Sequence, residues 1–166
     1  MKLLDQSLVL SDQVFMTNPP IVVRMNPQLA ETDSIDAGRE PDGFDTWTAL
    51  QKATDQSRAN LIADIVGHPQ NAPSVRELDY MNPALGADAI RRHLGVLQDV
   101  DVVAELVVEP GNRVRGYPYK FYQLTPAARE LFDRNDLFPA DAWQRQYARV
   151  EKPGEISELE AMPRPE

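Results

Sequence analysis

Between Ala87 and Thr125 an amphipathic helix runs straight into a strand, a turn and a returning strand, and this run constrains the fold more than any other part of the chain. In ADAIRRHLGVLQDV, Ala87, Ile90, Leu94 and Leu97 recur three and four residues apart, which lines them along one face of a helix. Arg92 and Asp88 point almost directly away from that stripe, flanked by Ala89 and Arg91. VVAELVVE (102–109) alternates and is β-branched, the pattern of a strand. Pro110-Gly111 suits the centre of a type II turn. KFYQL (120–124) is the return, with Phe121 and Tyr122 on opposite faces. Pro118 cannot donate to a ladder, so the hairpin opens or bulges near its tip. Asp101 stands at the helix–strand junction, a left-handed position where glycine is usual and aspartate a tolerated second choice.

Helices are expected on both sides of this unit. TWTALQKA (46–53) sets Trp47 and Leu50 on one side of a short helix. In TDQSRANLIADIVGHP, Leu61, Ile62, Ile65 and Val66 keep helical spacing until Gly67 and Pro69 stop it. His68 at that stop favours the helix dipole. Ser74-Val75-Arg76-Glu77 reads as a capping box that opens a short helix, which Asn82-Pro83 ends. Thr125-Pro126 starts another helix, with Thr125 as cap and Ala128, Leu131 and Phe132 inside. A last helix from Pro139 to about Val150 carries Trp143, Tyr147 and Val150 at i, i+4 and i+7. The fold class is therefore mostly α with a small β-hairpin (α+β). Residues 1–44, with the β-branched snippets LVL (8–10) and IVV (21–23), form an N-terminal extension. The core domain spans 45–125, C-terminal helices 126–152, and a charged, Pro-rich tail, expected to fray, 153–166.

The chain has 166 residues, 26 acids against 17 bases, and a formal net charge of −9. The excess sits on the flanks: residues 1–45 carry 8 acids and 3 bases, whereas 46–125 carry 9 and 8. Aspartate outnumbers glutamate 15 to 11 and arginine outnumbers lysine 13 to 4, the acidity expected of a protein adapted to high salt. The absence of cysteine excludes disulfides, thiolate metal sites and thiol catalysis, and it fits a reducing cytoplasm. No apolar run approaches the roughly 18 residues of a membrane span. There is no Gly-rich phosphate loop after a strand, no metal cluster and no nucleophile with an oriented base, so the expectation is a non-enzyme without cofactors.

Against this acidity, Gly111 to Leu124 holds two arginines, a lysine and no acid. A tri-helical core with a β-hairpin is the winged helix-turn-helix layout. In that layout the basic ribbon is the wing, whose arginines pair with nucleic-acid phosphates. The residues expected at the DNA are Asp88, Ala89, Arg91 and Arg92 on the recognition helix (about 87–99) and Arg113, Arg115 and Lys120 on the wing (about 102–124). A solvated face explains Arg91 and Arg92 equally, as for paired charges on any helix. Trp143, Tyr147 and Val150 either pack on their own domain or pair with a second copy; dimerisation is preferred because two half-sites about 34 Å apart need a twofold partner.

AIRRHLGVLQDVDVV resembles the helix-to-strand stretch of arsenical-repressor-like and multiple-antibiotic-resistance-like winged helices. More closely, DTWTALQKAT, RANLIADIVGHP, ELDYMNP, FYQLTPAARELF and AWQRQYARVEKP, in that order, are similar to a haloarchaeal group of winged-helix transcriptional regulators. The resemblance covers about Asp45 to Pro153. It implies sequence-specific binding of double-stranded DNA, usually as a homodimer, in a salt-rich cytoplasm. Asp101 departs from the usual glycine, and the cysteines of metal-sensing members are absent, so metal sensing does not carry over. His93 takes the family's His-Leu position, where a packed histidine and a DNA contact are both open. The competing reading is a winged-helix module that recruits protein partners in transcription without specific DNA contacts.

Overall fold

A computed structural model describes residues 43–166, within a compact unit that begins at Asp42. The expected extension 1–44 therefore lies outside the described residues, except for Gly43 and Phe44. Phe44 is already buried in the core. Seven α-helices and one hairpin follow among the described residues.

Local chemistry starts most of them. Asp45 caps α1 (Thr46–Ala53) by accepting from the Thr48 amide, and Asp55 caps α2 (Gln56–Gly67) from Ser57 and Arg58. The Ser74–Glu77 capping box opens α3 (Val75–Met81). Gly86, at φ +81°, lets the chain turn into α4 (Ala87–Asp99). Asp101, at φ 59°, turns it out again into β1 (Val103–Val107), as the sequence leads one to expect. β2 (Lys120–Leu124) returns antiparallel, pairing Glu105 with Tyr122 and Leu106 with Phe121. Thr125 caps α5 (Pro126–Arg134), and α6 (Ala140–Arg149) and α7 (Gly154–Ala161) complete the fold.

The core gathers around α2, where Leu61, Ile62, Ile65 and Val66 meet Leu78 of α3 and the α4 stripe of Ile90, Leu94 and Leu97. Val103, Tyr122 and Leu124 add the inner face of the hairpin, and Ala128, Leu131 and Phe132 add α5. Each such Leu or Ile contributes about 1.5–3 kcal/mol by leaving water. The Tyr122 amide also donates to the Pro73 carbonyl at 2.9 Å, so β2 is hydrogen-bonded along both edges. The linker before α3 thus pins the hairpin to the helical core.

Three expectations change. Pro110–Asn112 is a 3-10 turn, not a type II turn, because Gly111 does not take the positive φ that type II needs; Gly116 does, at +86°. The tail does not fray: α7 buries Ile156 and Leu159. His68 stands at the C-terminal end of α2, where it is fully buried and bonded to Glu77. The Trp143–Tyr147 stripe packs on its own domain. Tyr147 is buried, with its ring 5.7 Å from that of His68, and Trp143 lies partly buried against the core. Gly67 makes this possible, since a Cβ there would meet the Trp143 carbonyl oxygen at 2.6 Å and Tyr147 Cβ at 2.9 Å. Of the three residues expected at a dimer interface, Val150 alone is exposed.

Candidate nucleic-acid interface

The outer face of α4 lies opposite its buried stripe, so Asp88, Arg91 and Arg92 are all exposed and Ala89 half-buried beside them. Asp88 restrains its neighbour: Arg91 Nη1 lies 3.0 Å from Asp88 Oδ1, a pair spaced i,i+3 on the helix surface. With Asp88 and Arg91 this exposed, the pair costs little to break. Arg92 makes no hydrogen bond or ion pair among the described residues. His93 packs between helices, with Nδ1 3.4 Å from Arg58 Nη1, which ties α4 to the start of α2.

The hairpin meets α4 along the face that carries Tyr122. Tyr122 donates to Glu105 Oε2 at 3.2 Å, and Lys120 Nζ stands 3.6 Å from the same oxygen. Burial and the Glu105 carboxylate push the Tyr122 phenol up to about 12, against a downward pull from the charge of Arg91. The Arg91 charge thus reaches Tyr122, and Glu105 links Tyr122 to Lys120, along the face where α4 adjoins the hairpin.

Arg113 takes other partners. Its guanidinium stacks 4.0 Å over the Tyr119 ring while Nε donates to the Val108 carbonyl at 2.9 Å. It shares a cleft with Arg164 and Pro165, and Arg164 in turn lies over the Phe121 ring. Arg115 stays exposed at the wing tip, with no hydrogen bond or ion pair among the described residues. Arg91 and Lys120 thus each act on the Tyr122–Glu105 pair, Arg92 and Arg115 stay exposed, and Arg113 folds back.

A second polar group went unread in the sequence because its members lie far apart in the chain. His68 Nδ1 accepts from the Gln70 amide at 3.1 Å, which leaves the proton on Nε2 to donate to Glu77 Oε1 at 2.7 Å. Arg164 Nη2 approaches that same Nε2 at 3.2 Å, where two donors meet, so its partner is the Glu77 carboxylate at 3.2 and 3.3 Å. Burial alone would raise the Glu77 carboxyl, but bonds from His68 and Ser74 and the charge of Arg164 outweigh it and hold it below its ordinary value. The capping box gave the only sequence signal that Glu77 faces inward. Asp64 is the other omission. Burial pushes its carboxyl up to about 6, opposed by a 2.7 Å bond from Asn82 Nδ2. Among the described residues no group of His, Asp and Glu could hold a metal ion, and no helix is long and apolar enough to cross a membrane.

A solved structure described as a protein with a GntR superfamily winged-helix-turn-helix domain, from Halomicrobium mukohataei, is similar to this chain. The TM-score is 0.63 at 25% identity, over 78% of this chain and 94% of that one. The fold is a winged helix-turn-helix. The likeness lends nothing to the narrower arsenical-repressor-like or multiple-antibiotic-resistance-like placement. No protein-family model matches the chain, and neither does any curated protein.

Proposed function

We propose that this protein is a transcriptional regulator that binds double-stranded DNA sequence-specifically. Helix α4 enters the major groove, and the hairpin lies along the adjoining backbone. One observation carries the reading: the fully buried stripe of α4 turns Arg91 and Arg92 outward, and the charge of Arg91 reaches the Tyr122–Glu105 pair that Lys120 also flanks. Arginine reads guanine O6 and N7 in the major groove, and lysine and the extended Arg115 meet phosphates without reading sequence. Asp88 restrains Arg91 until a base edge or phosphate replaces it. A helix-turn-helix that reads two half-sites about 34 Å apart does so as a homodimer. That dimer belongs to the proposal, with its interface no longer assigned to Trp143 and Tyr147.

Selection of random duplexes at high KCl tests this. A single enriched motif is expected, and R91A and R92A should each weaken it by about tenfold or more, as loss of a base contact does. No enriched motif, or an enriched duplex bound equally well by both variants, refutes it.

A further inference from the structure

The segment MPRPE (162–166) folds over the hairpin and inserts one charged side chain into the protein. We propose that Arg164 is a latch that fixes the wing hairpin to the helix-turn-helix. Its side chain is only 7% exposed and meets a fully buried Glu77. Nε donates to the Ala72 carbonyl at 2.6 Å, and Nη1 donates to the Leu159 and Met162 carbonyls at 2.9 and 2.7 Å. Nη2 takes the Glu77 carboxylate, and the guanidinium plane lies 4.3 Å over the Phe121 ring. One planar fork thus joins the linker before α3, the cap of α3, the end of α7 and the outer face of β2.

Phe121 shows why the hairpin needs this. β-strand side chains alternate, so Tyr122 and Leu124 face the core and Phe121 faces away from it. Phe121 is nonetheless fully buried, and Arg164 lies across its ring. Neighbouring contacts run in the same sense. Gln70 Nε2 donates to the Glu160 and Met162 carbonyls, Tyr117 donates to Glu158, and Arg76 joins the Gly116 carbonyl to Glu155. The wing loop, α3 and α7 are clamped to one another through polar contacts, most of them exposed, with Arg164 as the buried member.

Energetics make it a latch rather than a foundation. A buried ion pair gains little net stability over an apolar replacement, while its geometry specifies one arrangement. Pro163 and Pro165 flank the arginine and restrict the free segment, which lowers the entropy lost on docking. The segment can therefore close tightly without dominating the stability of the domain, and opening it would release the wing while leaving the helices around α2 intact.

Amide hydrogen exchange on the full chain at high KCl decides the matter, and it is read without DNA. In R164M the amides of Val108, Tyr117 and Tyr122 are expected to exchange about tenfold faster or more, with α1 and α5 unchanged. The double variant E77Q/R164M removes the carboxylate stranded by the first change, so it should recover thermal stability yet keep the fast wing exchange. Wing amides that exchange at the wild-type rate in either variant overturn the latch. So does acceleration by the same factor in α1 and α5, which would make Arg164 a general stabiliser.

Discussion

Substituting Asp64 by asparagine tests the energetics of the buried polar groups most directly. Asp64 sits on α2 with its carboxyl raised from 3.8 to about 6 by burial, and it accepts a bond from Asn82 Nδ2 at 2.7 Å. The same Asn82 amide nitrogen donates to the Leu78 carbonyl at 2.9 Å, so Asn82 closes α3 and ties it to α2. A raised folded-state value means that the protonated form is the one the fold prefers. The stabilising contribution of Asp64 is complete below its unfolded value near 3.8 and is lost as pH rises through about 6. At pH 7.5 that shift amounts to about 3 kcal/mol of lost stability, at about 1.4 kcal/mol per pH unit. An asparagine oxygen can accept the same bond without a charge to desolvate. D64N should therefore be more stable than wild type by up to about 3 kcal/mol at pH 7.5, roughly 10 °C in Tm. The advantage should shrink towards zero near pH 4. Glu77 acts in the opposite sense: its lowered carboxyl loses its contribution only as pH falls below its ordinary value of 4.5, so work above pH 5 isolates Asp64. Denaturant unfolding of both proteins from pH 5 to 8 measures the difference. An advantage that is absent, or that does not grow with pH, refutes the reasoning.

Three further outcomes are expected. Gly67→Ala should destabilise by roughly 2–4 kcal/mol in denaturant unfolding, because the new methyl meets α6 backbone at 2.6 Å and neither helix can withdraw without opening the core. Tyr147→Phe should leave stability unchanged or raise it by up to about 1 kcal/mol, since the buried Tyr147 hydroxyl has no hydrogen-bond partner among the described residues; a loss beyond 1 kcal/mol would reveal a partner. DNA affinity should depend weakly, or inversely, on KCl, because at 1 M salt a Debye length of about 3 Å silences flank acids that oppose binding at low salt. A steep ordinary fall of affinity with KCl, measured on the selected duplex, would show that phosphate contacts dominate instead.

Much of the fold was legible in the sequence because its signals are short-range. A cap acts over three residues, as at Ser74–Glu77 and Thr125–Ala128, and a stripe such as Ile90, Leu94 and Leu97 repeats within each two turns. The exposure of Arg91 and Arg92 followed from the same arithmetic. The turn type at Pro110-Gly111 was misjudged because several φ choices fit those two residues, and the surrounding loop selected a 3-10 turn with the left-handed glycine at 116. The folding back of Arg113 was not legible at all, since it depends on where the Tyr119 ring comes to lie.

The sequence by itself determined the helices from α1 to α6, both strands and the apolar face of each, since these depend on residues a few positions apart, whereas α7 read as a tail. Only the tertiary structure decided which faces meet. It turned Tyr147 onto Gly67 instead of towards a second copy, buried Asp64, and carried Arg164 across 87 positions to Glu77. A charge among prolines reads as a solvated tail until packing removes its water, and burial is a property of the assembled core that no local pattern encodes.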